Sequence, residues 1–110
     1  ELDIGWVTYG GKCPIDYINR FGNRISALHI KDFTDGWVIR EPFTPDGRVS
    51  AMPRFTTPGT GKVKIRECLK AGAELGIEWA IVEQDFQYNL TEKETLTAAY
   101  LNMKEMGYIE

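Results

Sequence analysis

The only histidine of the chain, His29, lies inside the apolar run A-L-H-I-K-D-F, and acidic residues occupy two similar runs. Asp3 lies in E-L-D-I-G-W, and Glu83 lies in A-I-V-E-Q-D. A lone histidine in such a run is more often a hydrogen-bonded core residue than a ligand. Two carboxylates and one imidazole that meet at one point would instead suit a divalent cation with open coordination positions: Mn, Mg, Co or Zn.

Three extended apolar runs, each followed by a helical pattern, are the elements that would have to position these side chains. The runs predict strands at about Leu2 to Val7, Ile25 to Phe33 and Trp79 to Phe86. Strands that alternate with helices predict right-handed crossovers and a parallel sheet covered by helices. The predicted fold class is therefore α/β.

Cap residues mark the predicted helices. The first begins at Pro14, because proline is favoured at the first helical position. The second covers about Val63 to Leu75 and follows P-G-T-G, whose glycines are expected to allow a tight entry into the helix. The third begins with Thr91 and Glu94, which predict a capping box.

Alternation along the strands predicts one shared pocket. Successive side chains of a strand point to opposite faces of the sheet, so His29 and Lys31 share one face and their aliphatic neighbours share the other. The first and third strands show the same division, with Asp3 and Glu83 on the polar face. Buried ionisable groups are costly unless they are paired or coordinated, and one cation would serve all three ligands.

The connection 34–61 is long for a compact α/β domain, and it holds four of the five prolines. Its large aromatic residues would be costly to leave in water: Trp37, Phe43 and Phe55. We expect either a folded lid or an arm that contacts another subunit, with a short β-ribbon inside it.

The composition indicates one globular domain, 1–110, with 43% hydrophobic and 26% charged residues. The formal net charge is -3 and the basic residues are scattered, so neither nucleic acid nor an anionic membrane is an expected partner. No apolar run reaches the ~18 residues of a spanning helix.

Cys13 and Cys68 form neither a disulfide framework nor a metal pair, and a cytoplasmic location is expected. The chain opens directly on a predicted strand, so we expect a piece of a longer protein.

The order of several short motifs resembles a known family. E-L-D-I-G-W, H-I-K-D, P-G-T-G-K-V, a helix and I-V-E-Q-D follow one another as in the C-terminal part of the sugar-phosphate isomerase/epimerase family, the xylose isomerase-like TIM barrels. The resemblance covers nearly the whole chain. It implies a partial (β/α)8 barrel of three parallel βα units, equivalent to the last three strands, with the active site at their carboxyl ends.

The resemblance also implies roles for individual residues. Asp3, His29 and Glu83 match three of four metal ligands, and the fourth, a glutamate on an earlier strand, is missing from this chain. The implied reaction is proton transfer next to a carbonyl of a sugar or sugar phosphate, with Glu83 as both ligand and catalytic acid/base. Asp85 is expected to contact and orient the metal ligands without binding the metal itself.

Two further side chains are candidates for substrate binding. Trp6 could stack on a sugar ring, and packing inside the barrel is the alternative. Lys31 could donate to a hydroxyl or a phosphate, and an internal ion pair is the alternative. Because the fourth ligand is missing, we expect the C-terminal fragment alone to be inactive.

Two other functions stay open at this point. One is a non-catalytic partial barrel that serves as an assembly or ligand-binding module. The other is the related metal-dependent apurinic endonuclease type of barrel, whose site needs more than one histidine and a basic groove.

Three parallel strands also leave two open sheet edges, and Trp79 and Ile81 would lie exposed on the inward face. We therefore expect self-association into a homo-oligomer.

Overall fold

The computed structural model describes residues 1–40, 50–87 and 89–110. These residues form an α/β fold in which the helices follow the strands in sequence. The elements are, in chain order, β1 (Leu2–Asp3), α1 (Ile4–Tyr9), α2 (Pro14–Phe21), a 3-10 turn (Gly22–Arg24), β2 (Ala27–Ile30), β3 (Asp32–Arg40), β4 (Ser50–Thr56), α3 (Ile65–Glu74), β5 (Trp79–Val82) and α4 (Glu92–Met106).

The predicted parallel sheet is present, and β2 is its central strand. Strand β2 pairs in parallel with β1 on one side and with β5 on the other. The register places Asp3 opposite His29, and His29 opposite Ile81. The backbone N–H of Glu83 donates to the carbonyl of Ile30 at 3.0 Å, so β5 stays aligned with β2 one residue beyond its own end.

The face of the sheet that turns away from His29 packs against helices. Leu28 and Ile30 of β2 are buried there in one cluster with Ile18 of α2 and Cys68 of α3. Burying an aliphatic side chain of this size contributes about 1.5–3 kcal/mol, so this layer stabilises the sheet. Burial also raises the pKa of the Cys68 thiol to about 12, and neither Cys68 nor Cys13 forms a disulfide.

The first predicted strand, Leu2 to Val7, is wrong beyond Asp3. Strand β1 ends at Asp3, and the next six residues form helix α1. Asp3 is the N-cap of that helix: its Oδ1 accepts the backbone N–H of Trp6 at 2.8 Å. This bond satisfies one of the donors that have no partner inside a helix, and it favours a helix where the sequence alternates like a strand. The other two predicted strands are present but shorter, as β2 and β5.

The three predicted helices are confirmed as α2, α3 and α4. Helix α2 begins at Pro14, as expected. The capping box of α4 is formed, because Thr91 N–H donates to Glu94 Oε2 at 2.8 Å and Glu94 N–H donates to Thr91 Oγ1 at 3.3 Å. Within the described ranges, the structure contains no helix that is both long and apolar enough to cross a membrane.

The long connection contains the predicted ribbon, an antiparallel hairpin of β3 and β4. Phe55 of β4 is buried, whereas Trp37 of β3 is 61% exposed. Phe43, the third aromatic residue considered in the sequence, lies outside the described residues. The hairpin therefore packs on the domain through its base and presents Trp37 to solvent.

Asp32 joins the base of this hairpin to the loop that leads into α3. Its buried carboxylate accepts the backbone N–H groups of Phe33 at 2.9 Å, Gly59 at 3.0 Å, Gly61 at 2.8 Å and Val63 at 3.0 Å. Burial raises the pKa of Asp32, and the four N–H donors oppose that shift. A Cβ at Gly61 would overlap the Asp32 carboxylate and the Phe33 carbonyl oxygen, so the tight entry predicted for P-G-T-G is confirmed.

Replacing Asp32 tests this joint. Asp32→Ala is expected to lower the free energy of unfolding by about 3 kcal/mol, because several buried N–H groups lose their acceptor. Urea unfolding at neutral pH measures the loss. Asp35→Ala is the matched control, because Asp35 is almost fully exposed and its partner is the exposed Lys62. Equal losses of stability in the two variants would contradict the assignment.

Candidate functional site

Asp3, His29 and Glu83 lie at the carboxyl ends of three neighbouring parallel strands. Asp3 is the last residue of β1, His29 lies in β2, and Glu83 follows β5. One ligand atom from each of the three side chains lies within 4.8 Å of the other two. The structure therefore brings together the three residues that the sequence analysis placed in one pocket.

The imidazole of His29 bridges the acidic side chains. Its Nε2 lies 2.6 Å from Glu83 Oε2, and its Nδ1 lies 3.3 Å from Asp3 Oδ2. The same Nδ1 also lies 3.3 Å from Oε1 of Glu1, a residue that the sequence analysis missed. The signal for Glu1 was its position two residues before Asp3, which is the spacing of side chains on one face of a strand.

Lys31 forms internal ion pairs, which the sequence analysis gave as the alternative to substrate binding. Its side chain is only 4% exposed, and Nζ lies 2.9 Å from Asp85 Oδ2, 3.1 Å from Glu83 Oε2 and 3.7 Å from Asp3 Oδ2. Desolvation, the largest effect, lowers the pKa of Lys31. The hydrogen bonds to Asp85 and Glu83 and the charge of Asp3 oppose it, and together they raise the pKa above its ordinary value.

Aromatic rings form one wall of the site. The Lys31 ammonium lies 5.2 Å from the centroid of the Trp6 ring and 5.6 Å from that of Phe55, within the range of cation–π attraction. Trp6 itself packs edge-on against Tyr9 and Phe55 and is partly exposed. Phe55 belongs to the hairpin, so this contact joins segments that no local sequence pattern connects.

Helix α1 brings Asp3 and Trp6 to the end of β2. Gly5 permits the close approach, because a Cβ there would lie 2.8 Å from the Cβ of Lys31. Asp3 then serves two purposes: Oδ1 caps α1, whereas Oδ2 faces His29 and Lys31. The single carboxylate thus links the start of a helix to the charged centre.

The donor set fits a divalent cation. Ligand atoms that share an ion at about 2.0–2.2 Å lie up to roughly 4.2 Å apart, and the three side chains already approach that spacing. Charge agrees with this fit. Three carboxylates, of Asp3, Glu83 and Asp85, lie around the one ammonium of Lys31, so negative charge exceeds positive charge there and favours a cation.

Comparison with known proteins gives sequence relatives of low identity. No family model matches the chain. An inosose dehydratase of Lacticaseibacillus casei is 28% identical over 108 aligned positions, covering 88% of this chain and 36% of that protein. An inosose dehydratase of Clostridium botulinum is 28% identical over 90 positions, covering 76% of this chain and 29% of that protein. The chain thus spans about a third of the length of these curated relatives.

Comparison with solved structures shows which fold the chain has. Two crystal structures of sugar phosphate isomerase/epimerases from Parabacteroides distasonis superpose on the whole chain with TM-scores of 0.64 and 0.68, at 21% and 20% identity. The chain covers 31% and 32% of those proteins. This chain has the α/β fold of about a third of these two proteins. The resemblance and the fold class that the sequence predicted are confirmed.

The double use of Asp3 gives a testable difference between two substitutions. Asp3→Ala is expected to lower the free energy of unfolding by about 1 kcal/mol more than Asp3→Asn, because asparagine also caps helices well and alanine does not. Urea unfolding of both variants measures the difference. If the two variants are equally stable, the bond to Trp6 does not stabilise α1.

Proposed function

We propose that this chain carries three metal ligands of a metal-dependent sugar or sugar phosphate isomerase/epimerase, which transfers a proton at the carbon next to a carbonyl. The convergence of Asp3, His29 and Glu83 within 4.8 Å is the observation that carries this proposal. The three residues lie at the carboxyl ends of parallel strands, where barrel enzymes have their active sites.

The names of the matched proteins support one common chemical step. Two are isomerase/epimerases of sugar phosphates, and two are dehydratases of inosose. A carbonyl acidifies the proton on its neighbouring carbon, and isomerisation, epimerisation and loss of water can all begin with removal of that proton. The proposed site therefore fits a polyhydroxylated carbonyl compound as substrate.

Each ligand residue has a role in this proposal. Asp3, His29 and Glu83 would hold Mn, Mg, Co or Zn, and the cation would supply polarisation of the substrate oxygens. Glu83 is also the catalytic acid/base for proton transfer on its own side of the substrate. Its side chain is 43% exposed, more than that of Asp3 or His29, so substrate can reach it.

The two residues predicted to bind substrate differ in access. Trp6 borders the charged centre with a partly exposed ring, and it remains our candidate for stacking on a sugar. Lys31 is enclosed by carboxylates and aromatic rings, which favours its ion pairs over a direct contact with substrate.

We further propose that the 110 residues bind metal but do not catalyse alone. The resemblance to the family implies a fourth ligand, a glutamate, that has no counterpart in this chain. Without it, proton transfer on the opposite side of the substrate has no base.

Titration with Mn²⁺ tests the metal centre. The wild-type chain is expected to bind Mn²⁺ in isothermal calorimetry, and Glu83→Gln is expected to weaken binding by about tenfold or more. Glu78→Gln is the matched control, because Glu78 is an exposed glutamate at the opposite end of β5. No binding to the wild type, or equal weakening by both substitutions, would refute the metal centre.

A second measurement separates binding from chemistry. Proton NMR follows the conversion of inosose, a ketose and a ketose phosphate, with Mn²⁺ present. We expect no isomerised, epimerised or dehydrated product above background with this chain, because no base acts on the opposite side of the substrate. Product that forms with the wild type and not with Glu83→Gln would overturn the proposal that the 110 residues do not catalyse alone.

The exposed sheet face supports self-association. Trp79 is 67% exposed and Ile81 is 45% exposed, on the same face of the sheet as His29. In the described sheet β1 and β5 are both edge strands, with backbone groups available on one side. We propose that a second copy of the chain covers this face, because exposed apolar side chains beside an open edge favour association.

Sedimentation velocity at micromolar concentration tests this association. The wild-type chain is expected to sediment as an oligomer, and Trp79→Ser is expected to shift it toward the monomer because apolar contact area is lost. Leu101→Ser is the control, since Leu101 is similarly exposed on α4. A monomeric wild type would contradict the proposal, as would equal shifts in the two variants.

A further inference from the structure

The Lys31 ammonium lies where the two ligand carboxylates converge. It is 3.7 Å from Asp3 Oδ2 and 3.1 Å from Glu83 Oε2. The same two oxygens face the imidazole of His29, at 3.3 Å and 2.6 Å. A divalent cation held by these oxygens would therefore share both of them with Lys31.

The position of Lys31 is fixed from several sides. Asp85 binds Nζ at 2.9 Å, and the rings of Trp6 and Phe55 flank the ammonium. Gly5 of helix α1 lies against the first carbons of the side chain. A lysine on the surface swings away from a competing cation, but this enclosed side chain has no such freedom.

We propose that Lys31 is a positioning residue, a built-in counter-cation that holds Asp3 and Glu83 toward His29 and limits the affinity of the centre for a divalent cation. This inference rests on the metal centre proposed above. Two carboxylates that converge on one point repel each other, and an ammonium between them reduces that repulsion. The same fixed charge repels a divalent cation that approaches the same oxygens.

Asp85 adjusts this balance. Its carboxylate contacts Lys31 in the ion pairs that the structure describes, so it offsets part of the lysine charge. Removal of the Lys31 charge should therefore strengthen cation binding, whereas removal of the Asp85 charge should weaken it. A merely structural role would give the same sign for both, because either substitution would loosen the carboxylates.

Calorimetric titration with Mn²⁺ distinguishes these cases. Lys31→Met keeps the length of the side chain without its charge, and it is expected to bind Mn²⁺ about tenfold more tightly than the wild type. Asp85→Asn keeps the shape and is expected to bind several-fold more weakly. Lys70→Met is the matched control and should leave the affinity unchanged, because Lys70 lies on α3 and pairs with Glu74 at 4.0 Å.

The outcomes separate this inference from the proposed function. If the wild type binds Mn²⁺ and Lys31→Met does not bind it more tightly, the inference is overturned and the metal centre stands. If the wild type does not bind Mn²⁺, the metal centre fails and the inference fails with it. Circular dichroism checks folding. Should Lys31→Met not fold, Lys31→Gln replaces it: tighter binding than the wild type supports the inference, and unchanged or weaker binding overturns it.

Discussion

The parallel pairing of β2 with a strand on each side is the constraint on which the site depends. Parallel strands present their carboxyl ends at one edge of the sheet, and their side chains alternate between faces. The register that sets Asp3 beside His29 therefore brings an acidic and an imidazole group together without any long loop. A shift of one residue would turn His29 toward the helices and disperse the centre. The backbone hydrogen bonds between the strands, more than the number of acidic residues, place the groups of the candidate site together.

The charged centre is tolerated because its groups compensate one another. A lysine as buried as Lys31 is rare in proteins unless it is paired, and here it contacts Asp3, Glu83 and Asp85. Aromatic rings cover the other side of the ammonium. This arrangement ties the hairpin, which supplies Phe55, to the strands that supply the carboxylates. The long connection is thus part of the wall of the site as well as a link between β2 and α3.

Strand alternation allowed much of this site to be predicted from the sequence. The positions of His29 and Glu83 follow from a period of two over short apolar runs, and that pattern is local. Helix α1 could not be predicted in the same way, because E-L-D-I-G-W alternates like a strand while its one helical signal is the cap residue Asp3. The aromatic contacts of Lys31 could not be predicted from the sequence either, because Phe55 contacts it only through the tertiary packing of the hairpin. Local patterns located the candidate ligand residues, and long-range packing decided their surroundings.

The two-sided bonding of Asp3 restricts which residues can occupy that position. Asparagine would still begin the helix but would carry no charge toward His29, whereas glutamate would carry the charge on a side chain that caps helices poorly. Serine and threonine share the limitation of asparagine. Among these residues only aspartate both caps the helix and carries a charge toward His29. Substitution of Asp3 is therefore limited by the folding of α1 and by the electrostatics of the pocket, and a change at this position would disturb both.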